Sequence, residues 1–64
     1  MINKQGLMIL RTRYNHRFEY LRSIVEDAEG DDYDDIAGEL VMLKEAITGL
    51  TQAIEYMTEM EHSR

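Results

Sequence analysis

Apolar residues in the second half of the chain recur at alternating intervals of four and three residues without a break. The positions that share this spacing are Ile36, Leu40, Leu43, Ile47, Leu50, Ile54 and Met57. Heptad spacing places all of them on one stripe of an α-helix, whereas a β-strand alternates with a period of two. Tyr33 continues the spacing towards the N-terminus, and Ala37, Ala46 and Ala53 widen the stripe. A widened stripe is typical of a helix that contacts two neighbours.

The first half of the chain shows the same helical period. The apolar side chains that share one face there are Leu7, Leu10, Tyr14, Phe18, Leu21, Ile24 or Val25, and Ala28. Asn3 is the candidate N-cap of this helix, because an asparagine side chain can accept a hydrogen bond from a free backbone N–H of the first turn.

A glycine flanked by acids separates the two halves. The chain contains no proline, so Gly30 is its strongest turn signal. Glycine adopts positive φ at little cost, and Asp31 or Asp32 is a candidate N-cap for the next helix. These signals predict one all-α domain, an antiparallel two-helix hairpin. Helix 1 is predicted at about 4–28, the turn at 29–32 and helix 2 at about 32–61.

Two helices alone cannot enclose a core, since each buries one side of its stripe and leaves the other side in water. A chain of this length buries only about 60% of its unfolded surface, and association is a common remedy. We therefore expect two hairpins to stack into a homodimeric four-helix bundle. The predicted oligomer core consists of Leu40, Leu43, Ile47, Leu50, Ile54 and Met57.

The composition argues against catalytic and metal-binding chemistry. There is no Cys, and hence no thiolate nucleophile, disulfide or cysteine-ligated metal. Ser23 and Ser63 are the only serines, His16 and His62 stand apart in sequence, and no glycine-rich phosphate loop is present. We expect no enzymatic activity, no cofactor and no metal site.

The N-terminal region carries no membrane or export signal. Uninterrupted apolar runs such as residues 7–10 are far shorter than the ~20 residues that span a bilayer. Arginines follow that run where a signal peptide has its small-residue cleavage site. We expect a soluble cytoplasmic protein with no membrane contact.

Charge is distributed unevenly along the chain. There are 7 basic and 13 acidic residues, a formal net charge of -6, and all acids except Glu19 follow residue 22. In an antiparallel hairpin the basic half of helix 1 lies beside the acidic C-terminal half of helix 2. Charge complementarity therefore predicts which way the helices pair.

Helix 1 combines basic and aromatic side chains, as phosphate contact and base stacking require. The candidate nucleic-acid-binding residues are Arg13, His16, Arg17 and Tyr20. An acidic α-hairpin of this size that dimerises resembles the Rop family of plasmid copy-control proteins, which bind paired RNA loops through their first helices. The resemblance lies in architecture, with no shared motif, so it implies an RNA-binding dimer without assigning residues. The net negative charge opposes this interpretation at long range.

A candidate protein-docking surface lies on helix 2, away from the heptad stripe. Met42, Gly49 and Tyr56 recur at intervals of seven residues, with Gly38 nearby. Each glycine inside a helix costs about 1 kcal/mol relative to alanine, and nothing in the turn chemistry requires glycine there. Methionine and tyrosine are favoured at the centres of interfaces. The alternative interpretation is that these four positions pack in the dimer core.

These observations favour a small acidic interaction protein, a regulator or inhibitor that docks on a partner protein of unknown identity. Its compact, cysteine-free composition suits a phage or mobile-element accessory protein. Two alternatives remain open, which are a Rop-like RNA-binding dimer and an anionic mimic of nucleic acid, whose carboxylates imitate phosphates.

Overall fold

The computed structural model describes residues 3–63 as two α-helices joined by a short turn. α1 spans Lys4–Val25 and α2 spans Gly30–His62, and residues 3–63 contain no strand. The helices pack side by side in a rod of 52 × 19 × 15 Å. The prediction of an all-α fold with two packed helices is confirmed. Neither helix of the described region is long and apolar enough to cross a bilayer.

α1 begins directly after Asn3, whose side chain serves as its N-cap. The Asn3 backbone is extended, with φ -124° and ψ 166°, and its Oδ1 accepts a 2.7 Å hydrogen bond from the backbone N–H of Gly6. One of the unpaired N–H groups of the first turn is thereby satisfied. This bond fixes the start of the helix even though Gly6 lowers the helical propensity of the first turn.

α1 ends at Val25, about three residues before the end that the sequence predicts. Glu26 and Asp27 follow Val25. The negative end of the helix dipole repels carboxylates at a helix C-terminus. The backbone N–H groups of Asp27 and Ala28 each donate a 3.2 Å bond to the carbonyl three residues earlier. These tighter bonds turn the chain at residues where the spacing of apolar side chains alone predicts that the helix continues.

α2 begins at Gly30, about two residues earlier than predicted. Glu29 occupies the N-cap position with an extended backbone and makes no side-chain capping bond. Asp31 and Asp32, which the sequence offers as caps, lie inside the first turn, where the helix dipole favours their carboxylates. Gly30 has φ 61°, the left-handed conformation expected of a glycine in this turn.

The interface between the helices contains few fully buried side chains. Leu21 of α1 is 3% exposed and Ile54 of α2 is 7% exposed, and these are the buried residues of the described chain. The other predicted core positions of α2 are half-buried, namely Leu40, Leu43, Ile47, Leu50 and Met57. Tyr33 is exposed, so the stripe ends at Ile36 and does not extend to the start of α2.

We expect Gly30→Val to destabilise the hairpin and Gly30→Asn to be tolerated far better. A Cβ at this position would meet nothing within 4 Å, so the cost comes from the backbone conformation alone. The left-handed region costs a residue with a Cβ about 1–2 kcal/mol, while asparagine visits it readily. Urea denaturation of the two variants measures the difference. A Gly30→Val variant that unfolds at the wild-type urea concentration would contradict the prediction.

Candidate interaction surfaces

Two ion pairs between the helices fix their antiparallel alignment. Lys4 Nζ donates to Glu61 Oε2 at 3.3 Å, and Arg17 Nε donates to Glu39 Oε2 at 2.7 Å. The basic side chains of α1 thus face acidic side chains of α2. Exposed pairs contribute little to stability individually, at ~0–1 kcal/mol in general, so their main effect is to select one pairing of the helices.

One side of the helix–helix contact, which we call the polar face, carries several charged and hydroxyl side chains. Arg11 Nη1 donates to Thr51 Oγ1 at 3.4 Å across this side. Residues seven apart lie on one line of a helix, so this contact joins two such lines. They comprise Lys4, Arg11, Phe18 and Val25 on α1 and Ala37, Lys44, Thr51 and Thr58 on α2.

The opposite side, which we call the apolar face, is crossed by the Arg17–Glu39 pair and is otherwise hydrophobic. The pair joins the line Leu10, Arg17 and Ile24 of α1 to the line Glu39, Ala46, Ala53 and Met60 of α2. Leu10 and Met60 are exposed, and the two alanines are half-buried. The small alanine side chains leave the backbone of α2 open to close approach by another helix.

The predicted docking positions on α2 point away from α1, and we call them the outer stripe: Gly38, Met42, Gly49 and Tyr56. Met42 is 70% exposed and Tyr56 is 64% exposed. A Cβ added at either glycine would meet nothing within 4 Å, so both glycines face open space. These four positions therefore lie on the side of α2 that is open to solvent.

Val41 belongs to the same exposed surface and was not predicted from the sequence. It is 59% exposed and lines a shallow groove on α2. The residues that line this groove are Val41, Lys44, Glu45, Thr48, Gly49 and Gln52. Val41 directly precedes Met42 and lies outside the heptad stripe. An apolar residue at such a position is the signal from which its exposure could have been predicted.

The candidate nucleic-acid-binding residues are only partly free. Arg13 and His16 are exposed, whereas Arg17 is bound to Glu39 and its guanidinium carbon lies 5.6 Å from the centre of the Tyr20 ring. The hydrogen bond to Glu39, and then the attraction of its charge, raise the pKa of Arg17 above its usual range. Part of the positive charge on this surface is therefore already engaged with an acid of α2.

Neither the arrangement of metal-ligating side chains in the described residues nor the comparison with known proteins indicates a ligand. Within residues 3–63, no group of three or more histidine, aspartate or glutamate side chains is placed to hold a metal ion. Comparisons of the chain with protein-family models, curated proteins and solved structures gave no match.

We expect the double variant Arg13→Ala/Arg17→Ala to unfold at a lower temperature than the wild type, because it loses the bond between Arg17 and Glu39. We expect no salt-dependent binding of structured RNA by either protein. Thermal unfolding followed by circular dichroism and filter binding at 50 and 200 mM salt test the two statements. The Rop-like alternative would be favoured if the wild type bound RNA and the variant did not. The association constant of the wild type would then fall by about one power of the salt concentration for each neutralised phosphate.

Proposed function

We propose that this chain is a non-enzymatic interaction protein that regulates or inhibits a partner protein by docking on it through the outer stripe. The observation that carries the proposal is the exposure of Met42 and Tyr56 on the side of α2 that faces away from α1. Large flexible and aromatic side chains beside glycines form an adaptable surface of the kind found at interface centres.

The charge around the outer stripe favours a protein partner over nucleic acid. Asp34, Asp35, Glu45, Glu55 and Glu59 are exposed on α2, which contains Lys44 as its one lysine or arginine. The field of these carboxylates repels phosphate. The same field attracts a basic protein surface and speeds its encounter with the stripe.

We also propose that two hairpins associate into a homodimeric four-helix bundle. The accessible surface of one hairpin is 5324 Å², whereas a compact monomer of 7.5 kDa exposes about 4,200 Å². The excess of roughly 1,000 Å² is close to the ~800 Å² that each partner buries in a standard interface. A second copy seated on the apolar face supplies this missing burial.

We expect sedimentation equilibrium at micromolar concentration to give twice the 7.5 kDa mass of the chain. Ala46→Glu, on the apolar face, should abolish the dimer because it places an unpaired carboxylate in a dry interface. Thr48→Glu, an exposed change two residues along the same helix, is the matched control and should remain dimeric. A wild-type monomer that unfolds cooperatively would contradict the proposed assembly.

We expect Met42→Asp and Tyr56→Ala to keep the helical circular dichroism spectrum and the dimer mass while losing the partner. Truncation at the centre of an interface costs about 2 kcal/mol or more in binding. Affinity capture from the producing cells, followed by mass spectrometry, compares each variant with the wild type. Gln5→Ala, an exposed change on α1 outside both named surfaces, should retain the same partner.

Nuclease treatment of the extract separates the docking hypothesis from its alternatives. A protein partner that survives nuclease and depends on Met42 supports docking. A partner that disappears with the nuclease indicates an RNA bridge. Dissociation of the dimer by Met42→Asp would place the outer stripe in the dimer core and contradict the proposed docking site.

A further inference from the structure

We infer that the second copy packs its apolar face on this one with the two turns at opposite ends of the bundle. This arrangement rests on the proposed dimer and specifies it further. The two possible closed pairings of the same face place the turns differently. Either both turns lie at one end, or each turn lies beside the open end of the other hairpin, where the N-terminus of α1 meets the C-terminus of α2.

A second copy is the occupant that best fits the apolar face. The face is hydrophobic at Leu10, Ile24, Ala53 and Met60, and its one ion pair is already satisfied within the chain. A two-fold dimer covers the same patch on both copies, so a single hydrophobic face is self-complementary. The surface that one hairpin exposes beyond a compact monomer, 5324 Å² against about 4,200 Å², matches the share of one partner in a standard interface.

The two ends of the hairpin carry very different charge. At the turn end, residues 26–35 contain seven carboxylates and no basic residue: Glu26, Asp27, Glu29, Asp31, Asp32, Asp34 and Asp35. The open end is nearly balanced, because Lys4 and Arg11 of α1 lie at the same end as Glu55, Glu59 and Glu61 of α2. The turn end is therefore the strongly negative part of the molecule.

Repulsion between the turn ends decides the arrangement. Neighbouring helices lie 8–10 Å apart, so turns at the same end would bring the two acidic clusters within roughly 10–20 Å of each other. That separation is roughly one to two and a half Debye lengths of about 8 Å at physiological salt, so each pair of charges is screened and the repulsion is the sum over seven carboxylates on each turn. Turns at opposite ends are separated by nearly the 52 Å length of the hairpin, and each then lies beside the nearly balanced end of the other copy.

The opposite-ended arrangement also places small side chains where the helices must cross. Its two-fold axis runs perpendicular to the bundle, so α2 lies antiparallel to α2 of the second copy. Ala46 is the central residue of α2, Gly30–His62, and lies on the apolar face. It therefore comes near its own copy at the axis, where the absence of a larger side chain lets the two backbones approach closely.

A spin-label distance measurement tests the arrangement, because the chain has no native cysteine. Glu29→Cys, exposed in the turn, carries a nitroxide, and double electron–electron resonance gives the distance between the labels of the two copies. Glu45→Cys, exposed near the middle of α2, is the matched control and reports a dimer in either arrangement. We expect a Glu29→Cys distance close to the 52 Å length of the hairpin.

Each other outcome overturns a defined part of the inference. A Glu29→Cys distance below about 20 Å, together with a dipolar signal from Glu45→Cys, keeps the dimer and overturns the opposite-ended arrangement. Absence of a dipolar signal from both labelled proteins shows a monomer and overturns the proposed dimer itself. Circular dichroism of each labelled protein verifies that the helices are intact before the distances are compared.

Discussion

In a pair of helices, each helix is shielded from water on one side only, and this limit determines how much apolar surface the molecule can bury. Leu21 and Ile54 are the side chains that the hairpin buries, and most of the heptad stripe of α2 is only half-covered. A single core in a chain this short rarely supplies more than about 3–5 kcal/mol even when it is well formed. The proposed dimer would add burial to this hairpin, on the apolar face beside the Ala46 line.

In the proposed dimer, charge would direct the hydrophobic association without providing much of its energy. α1 is predominantly basic and α2 predominantly acidic, so the pairs Lys4–Glu61 and Arg17–Glu39 form only in the antiparallel alignment. Such exposed pairs are weak, and any other alignment of the two helices would break both of them. In the proposed dimer the acidic turns would act in the same way between copies. Hydrophobic burial and charge therefore have separate roles, the first in driving association and the second in choosing its geometry.

The sequence predicts the helices well and their ends less well, and the reason is physical. The helical form of α2 and the positive φ of Gly30 depend on local geometry, which can be read from the heptad spacing and from the glycine itself. The end of α1 depends on two opposing free energies, the gain from burying Ala28 and the cost of carboxylates at a helix C-terminus. The spacing of apolar residues does not show which of the two is larger. The exposure of Met42 and Tyr56 follows from their place outside the stripe. The contact between Arg17 and Glu39 does not, because it depends on how the two helices are rotated against each other.

The outer stripe and the apolar face lie on adjacent lines of α2, which ties docking to assembly. Met42 and Gly49 each lie four residues before a residue of the alanine line, Ala46 and Ala53, so less than a quarter of a turn of the helix separates the two surfaces. A partner docked on the stripe as proposed would therefore reach the rim of the proposed dimer interface, and the two-fold axis would present that rim twice. For this reason, a change at Met42 reports on docking only when the mass of the dimer is measured on the same sample, since binding and association share one edge of one helix.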